Sequence, residues 1–187
     1  MTAERDLYSL QLDRYCAAFW GTQTAEHFWD KGRPLPHACR ILEYAATESR
    51  PYWVYATCGM TPLSEHRALE LFLLSPVQSH LHVELLTAIV HYHQTEATLN
   101  LGHTVNFGRP WLDQSECSFG LISLPYLFGP KLEHANIAGR PTRLLWLLPI
   151  TAEEKRFKVQ AGVDALEQAF ESHYFNYLDP LRKPVVL

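Results

Sequence analysis

The stretch from Arg143 to Glu154, reading Arg-Leu-Leu-Trp-Leu-Leu-Pro-Ile-Thr-Ala-Glu-Glu, constrains the fold of this chain more than any other. The six residues from Leu144 to Pro149 carry neither charge nor hydroxyl. A short apolar run bounded by proline fits a strand covered on both faces, because a strand with one wet face alternates apolar and polar side chains. Thr151 follows, and Glu154 stands three positions beyond it. That spacing is a capping box: the hydroxyl accepts from the amide three residues on, and the carboxylate reaches back to the cap amide. Glu153 and Glu154 also place negative charge at the positive end of the helix dipole. Phe157 lies on the helix so opened, Gly162 stops it, and Val163, Leu166 and Phe170 mark a second amphipathic helix.

Periodicity organises the rest. Tyr8, Leu12, Tyr15 and Phe19 share one face of a helix over 4–19 that ends at Gly21 and should lie on a sheet. Residues 22–36 mix Gly32, Pro34 and Pro36 with Phe28 and Trp29, which predicts irregular chain pinned by its aromatics. Strands are predicted over 40–45 and 52–58, joined by the polar turn 47–51, and then over 69–74. Ser75-Pro76-Val77-Gln78 combines an N-cap serine, a proline at the first helical position and a glutamine at the third. It predicts a helix over 76–93 whose buried face is Leu81, Leu85, Ile89 and Tyr92, widened by Leu86 and Val90. Further strands are predicted over 99–105 and 119–124, with an exposed loop over 106–113 between them. Residues 126–139 predict a loop with at most one short strand, and 174–187 an extended tail. No internal repeat interrupts this pattern.

Composition narrows the function. A chain of 187 residues with 47% hydrophobic content can bury a large core as one domain, read as an N-terminal helix and loop (1–39), a core (40–173) and the tail. The net charge of -4 leaves no basic footprint for a phosphate backbone and favours a neutral or basic partner over nucleic acid. The first residues show neither a basic nor an apolar leader segment, and no apolar run approaches the roughly 20 residues of a membrane helix. These features predict a soluble cytoplasmic protein. Cys16, Cys39, Cys58 and Cys117 are widely spaced, which predicts free, partly buried thiols rather than a zinc site or a disulfide framework.

Chemistry-bearing patterns are sparse. His80 with His82 and His91 with His93 are two apart on a helix and so point about 200° from one another, whereas chelation needs neighbours three or four apart. They are expected to be solvated helix-face histidines, with no metal and no cofactor. A hydrolase could recruit Cys58 or Cys117 with His103 and Asp113, but no nucleophile-elbow or cysteine-protease signature accompanies them. No glycine-rich phosphate cradle is present.

The order Leu-Leu-Trp-Leu-Leu-Pro-Ile-Thr, Glu-Glu, Phe157 and glycine resembles the closing half of the suppressor of fused domain family. Tyr52-Trp53-Val54-Tyr55-Ala56-Thr57-Cys58-Gly59-Met60 and Leu101-Gly102-His103-Thr104-Val105 resemble two earlier motifs of that family, so the likeness spans roughly Arg40 to Leu187. The resemblance implies an α/β fold of two or three layers, a mixed, mainly antiparallel sheet with helices packed on it. It also implies a non-catalytic protein-binding module. Animal members grip a short segment of a transcription factor as an added strand between this domain and a second one, for which this chain is too short. Single-domain bacterial relatives imply an immunity protein that binds and neutralises a cognate polymorphic-toxin domain; a regulatory or scaffold protein with an endogenous partner is the alternative.

Five residues are the candidate partner contacts. Trp53 and Tyr55 point away from Tyr52, Val54, Ala56 and Cys58 on their strand, and Trp111 lies in a Gly-Pro loop, so all three are expected to be exposed anchors. The opposite expectation is that the chain's own helices cover them. Tyr55 also falls on the tyrosine of the family's strand, whose surroundings contribute to the peptide site in animal relatives. Glu65 and Asp113 are expected at an acidic rim; where the family carries an acidic turn, this chain has Thr61-Pro62-Leu63-Ser64-Glu65-His66.

Overall fold

The computed structural model describes residues 3–29 and 34–186. Within them the elements run α1 (Ala3–Trp20), β1 (Ala25–Phe28), β2 (Arg40–Tyr44), β3 (Trp53–Cys58), β4 (Ala68–Ser75), α2 (His80–Thr95), β5 (Thr104–Asn106), β6 (Cys117–Ser123), α3 (Pro130–Glu133), β7 (His134–Ile137), β8 (Arg140–Thr151), α4 (Ala152–Ala161) and α5 (Val163–Ser172). The strands form one sheet of order β1-β2-β3-β4-β8-β6-β5, with β7 also paired to β8. The β4–β8 pair is parallel and the others are antiparallel. The sheet is thus mixed and mainly antiparallel.

β8 is its axis. One edge pairs with β4 through Thr142–Trp146; the other takes β7 along Arg140–Arg143 and then β6 along Trp146–Thr151. Strand alternation sends Leu144, Trp146, Leu148 and Ile150 into one core and Leu145 and Leu147 into another. The first core is closed by Tyr8, Leu12, Cys16 and Trp20 of α1 and by Leu166 of α5. The second is closed by Val83, Leu85, Leu86, Ile89 and Val90 of α2. Three layers result. Trp146 is 3% exposed, stacked on Phe72 at 6.3 Å and edge-on to Tyr177 at 5.1 Å.

The capping box forms as the spacing predicts: Glu154 N–H donates to Thr151 Oγ1 at 3.2 Å, and Thr151 N–H donates to Glu154 Oε2 at 2.8 Å. Glu154 has a second role that its sequence position does not show. Fully buried, it receives both Nη atoms of Arg182 at 2.7 and 2.8 Å and the amide of Val185 at 3.1 Å, which ties the C-terminal segment to the start of α4.

Several expectations are corrected. α2 starts at Ser79, whose side chain accepts from Leu81 N, because Ser75 is spent: it ends β4 opposite Trp53, and its hydroxyl donates to Val77 O at 2.7 Å. Leu81 and Tyr92 lie on the exposed side of α2, and His82 and His93 on its buried side. Residues 22–36 contain β1, paired to β2, and Phe28 is 62% exposed rather than a pin; Gly32 lies outside the described residues. The strand expected over 99–105 shrinks to β5, since Gly102 has φ +78° and residues 100–103 turn, with His103 N–H donating to Asn100 O. Residues 126–139 hold α3 and β7, and the hairpin into β8 turns on Ala138 and Gly139 at φ 52° and 79°, the paired positive values that a two-residue hairpin requires. Among the described residues, no helix is long and apolar enough to cross a membrane.

Candidate functional site

Of the five residues expected at a partner surface, two are core. Tyr55 is fully buried, its ring 5.1 Å from that of His82, and its hydroxyl accepts from Ser79 N at 2.8 Å. Trp111 is 2% exposed, stacked on the other side of the same histidine at 5.8 Å, and its Nε1 donates to Ser115 Oγ at 2.9 Å. The expectation that these rings are exposed is therefore corrected: α2 covers that face of β3, and the 106–113 loop tucks Trp111 and Leu112 beneath it. Trp53 is half-buried against the same core, while Glu65 and Asp113 are exposed. Glu65 sits in the turn after Cys58, at the opposite end of β3 from Trp53, roughly 17–20 Å along the strand direction. The five do not make one surface.

Beside that turn lies a cleft of about 920 Å³, bounded by α1, β1, the start of β2 and residues 59–64. α1 builds one wall by periodicity: Tyr8, Leu12 and Cys16 face the core, so the adjacent stripe of Asp6, Ser9, Leu10 and Asp13 lines the cleft. Leu10, Phe28, Pro62 and Leu63 make apolar sides, and Asp13, Glu26, Arg40 and Cys58 supply polar groups. Arg40 ties these groups together, its Nε on Cys58 Sγ at 3.4 Å, its Nη2 on Asp13 at 3.0 Å and its Nη1 on Glu26. An apolar-walled concavity of this size with a few convergent polar groups is the usual form of a binding site.

The rim between Gly59 and Arg67 is held rigidly from behind. Glu70, fully buried on β4, accepts from Gly59 N at 2.8 Å, Met60 N at 3.2 Å, Thr57 Oγ1 at 2.6 Å and Tyr8 OH at 2.9 Å. Burial pushes its carboxyl above the usual range while these four donors pull it down. Arg140 donates to the carbonyls of Thr61, Pro62, Glu65 and Arg67. Gly59 has φ +92°, and a Cβ there would meet the Ala38 carbonyl at 3.1 Å, so the turn needs glycine for conformation and for space. The lone carboxylate in the otherwise apolar run 69–74 was a signal that something polar must lie buried opposite it.

The hydrolase alternative loses its nucleophile. Burial pushes the Cys58 thiol up to about 12, with Glu70 adding to the rise, and burial raises that of Cys117 as well, whereas a nucleophilic thiol is held low. Among the described residues neither sulfur is hydrogen-bonded to a histidine. Nor are the helix histidines all solvated: His82 Nε2 bonds Ser75 Oγ at 2.9 Å, and His93 accepts from Leu99 N at 3.0 Å. Among the described residues, no three His, Cys, Asp or Glu side chains gather as metal ligands would.

Residues 36–183 match the family described as Suppressor of fused protein (SUFU). The chain belongs to the suppressor of fused family. A crystal structure of a SUFU homolog from Neisseria gonorrhoeae FA 1090 is similar at 31% identity and TM-score 0.84, covering 96% of this chain and 97% of that one. The Sufu-Fu complex structure contains a chain with TM-score 0.68 and 12% identity, with 97% of this chain and 92% of that one covered. Drosophila Suppressor of Fused is similar at TM-score 0.66 and 12% identity; 94% of this chain matches 50% of that protein. At 12% identity these last two show the shared fold. No curated protein matches the chain. The Neisseria likeness reaches beyond the family match into α1 and β1, so both walls of the cleft belong to the shared architecture.

Proposed function

We propose that this suppressor of fused family domain is a non-catalytic binding module that acts in the cytoplasm by holding a segment of another protein along the outer edge of β1 and in the cleft beside it. The cognate partner is a polymorphic-toxin domain, which the bound module neutralises by covering it. The observation that carries this reading is the juxtaposition of a sheet-ending strand with a preformed cleft. β1 is the last strand of its side of the sheet among the described residues, so its outer backbone groups are available to an added strand, and Phe28 is exposed at its end. Glu65, in the turn that rims the cleft, provides the acidic steering expected for a basic partner. The Sufu-Fu complex supports protein binding as the mode in which such a fold works.

The test is to mix the purified chain with the toxin domain encoded beside its gene. A stoichiometric complex should form, the toxin's activity should fall with occupancy, and amide exchange should slow at Ala25–Phe28 and around Gly59. Glu65→Lys should slow association at low salt, with the effect shrinking as salt rises. No complex with the neighbouring toxin would overturn the immunity reading; a complex that leaves exchange in β1 unchanged would overturn its placement.

A further inference from the structure

The cleft has a chemical preference that can be read from its donors and acceptors; this step rests on its being the docking site. The donors around it are spent. Arg40 directs its Nε to Cys58 and its two Nη atoms to Glu26 and Asp13, and Arg5 donates to the Ala38 carbonyl at 3.3 Å. Tyr8 and the Gly59 amide are both committed to Glu70. Acceptors remain. Asp13 Oδ1 is buried with no hydrogen-bond partner among the described residues. Glu26 uses one oxygen on Arg40, and Asp6, on the same stripe of α1, accepts nothing among the described residues.

A buried carboxylate oxygen without a donor is costly, whereas a donor brought by a guest recovers that cost. Burial pushes the Asp13 carboxyl above the usual range, further than Arg40 pulls it down, as expected for a carboxylate short of positive partners. An anionic guest would meet three carboxylates and no uncommitted donor. A cationic guest would meet acceptors, and its stem would meet the apolar walls of Leu10 and Phe28, which are 48% and 62% exposed.

We infer that the cleft receives an arginine side chain of the partner segment, its guanidinium hydrogen-bonded to Asp13 and Glu26 and its stem laid between Leu10, Phe28 and Leu63. Arginine fits better than lysine because its planar fork can serve two carboxylates at once and can stack on the exposed Phe28 ring.

The experiment titrates the isotopically labelled chain with N-acetyl-arginine-N-methylamide and its lysine and glutamate counterparts, following backbone amide shifts. The arginine probe should move the amides of Ser9, Asp13, Arg40 and Gly59 with a Kd on the order of millimolar, and the lysine probe should bind more weakly. The glutamate probe should move none of them. Asp13→Asn and Glu26→Gln should each weaken the arginine probe by at least about threefold. If Asp13→Asn unfolds the chain, the ranking of the three probes on the unaltered protein still decides. Shifts at these amides from the glutamate probe, or none from the arginine probe at about 50 mM, a concentration far above the affinity expected of so small a ligand, would overturn the inference. The probes need no partner: arginine binding without a toxin complex would sink the toxin reading alone, and a toxin complex in a chain blind to arginine would sink the arginine site alone.

Discussion

Replacing Arg182 by alanine tests whether the C-terminal segment is part of the fold or merely lies on it. Both Nη atoms of Arg182 contact Glu154, and Nη2 also donates to the Pro149 carbonyl at 2.9 Å. The ion pair is buried, with side-chain exposures of 7% and 0%. In Arg182→Ala, Glu154 keeps the amides of Thr151 and Val185 but loses its only charged partner among the described residues, and Phe175 loses the guanidinium 4.6 Å above its ring. Breaking a buried pair from one side costs about 3–5 kcal/mol, because an uncompensated charge is left behind. Urea unfolding should show that loss in the extrapolated free energy, a large share of the roughly 5–15 kcal/mol that holds a typical domain folded. Glu154→Gln with Arg182→Met removes both charges and should recover part of it, since the charge left in the single variant is then gone. A loss below about 1 kcal/mol for Arg182→Ala would place the pair in water and refute the reasoning.

Two further outcomes follow from the core around β3 and β8. Trp146→Ala and Trp111→Ala should each lower stability by about 3–5 kcal/mol in denaturant unfolding, as large aromatic truncations in cores do; an unchanged midpoint for either would contradict its burial. His82 is buried, and burial, helped by Arg109, lowers its imidazole pKa from 6.5 to about 4, so the folded chain holds it neutral. Its contribution is fully present above about pH 6.5 and is lost as pH falls toward about 4, at about 1.4 kcal/mol per pH unit and about 3 kcal/mol in all. His93, lowered chiefly by burial, acts in the same direction. Stability measured from pH 7 to 4.5 should fall less steeply in His82→Asn, and identical slopes would refute the assignment.

What the sequence made legible was local. The apolar run of β8, the Thr151–Glu154 spacing, Gly162 as a stop and the faces of β3 are all written within about a dozen residues of one another, the range over which periodicity and capping operate. The alternation of Trp53 and Tyr55 against Val54 and Ala56 was right, but alternation cannot say which face stays uncovered, and here α2 covers the second face as fully as α1 covers the first. The start of α2 was misplaced because Ser75 and Ser79 both have capping chemistry, and only the pairing of Ser75 with Trp53 decides between them. The cleft was illegible for a different reason. Asp13, Glu26, Arg40 and Cys58 come from α1, β1, β2 and β3, with no spacing rule among them, and they meet only because the strands pair. Arg182 and Glu154 likewise carry no signal until the C-terminal segment is seen folded back.

The parallel join of β4 to β8 sets a timetable for the chain as it leaves the ribosome. Ala68–Phe72 find their partners only in Thr142–Trp146, so one edge of an entirely buried-type strand must wait for the later third of the chain. At about 5–20 residues per second that wait is roughly 4–15 s, long compared with hairpin closure. During it the β1-to-β4 hairpins can form but offer β4's apolar edge to any other nascent strand. Arrested chains that stop short of β8 should therefore be the sticky ones, and the interval in which a chaperone is needed should close when β8 emerges, well before the Arg182 clamp is made.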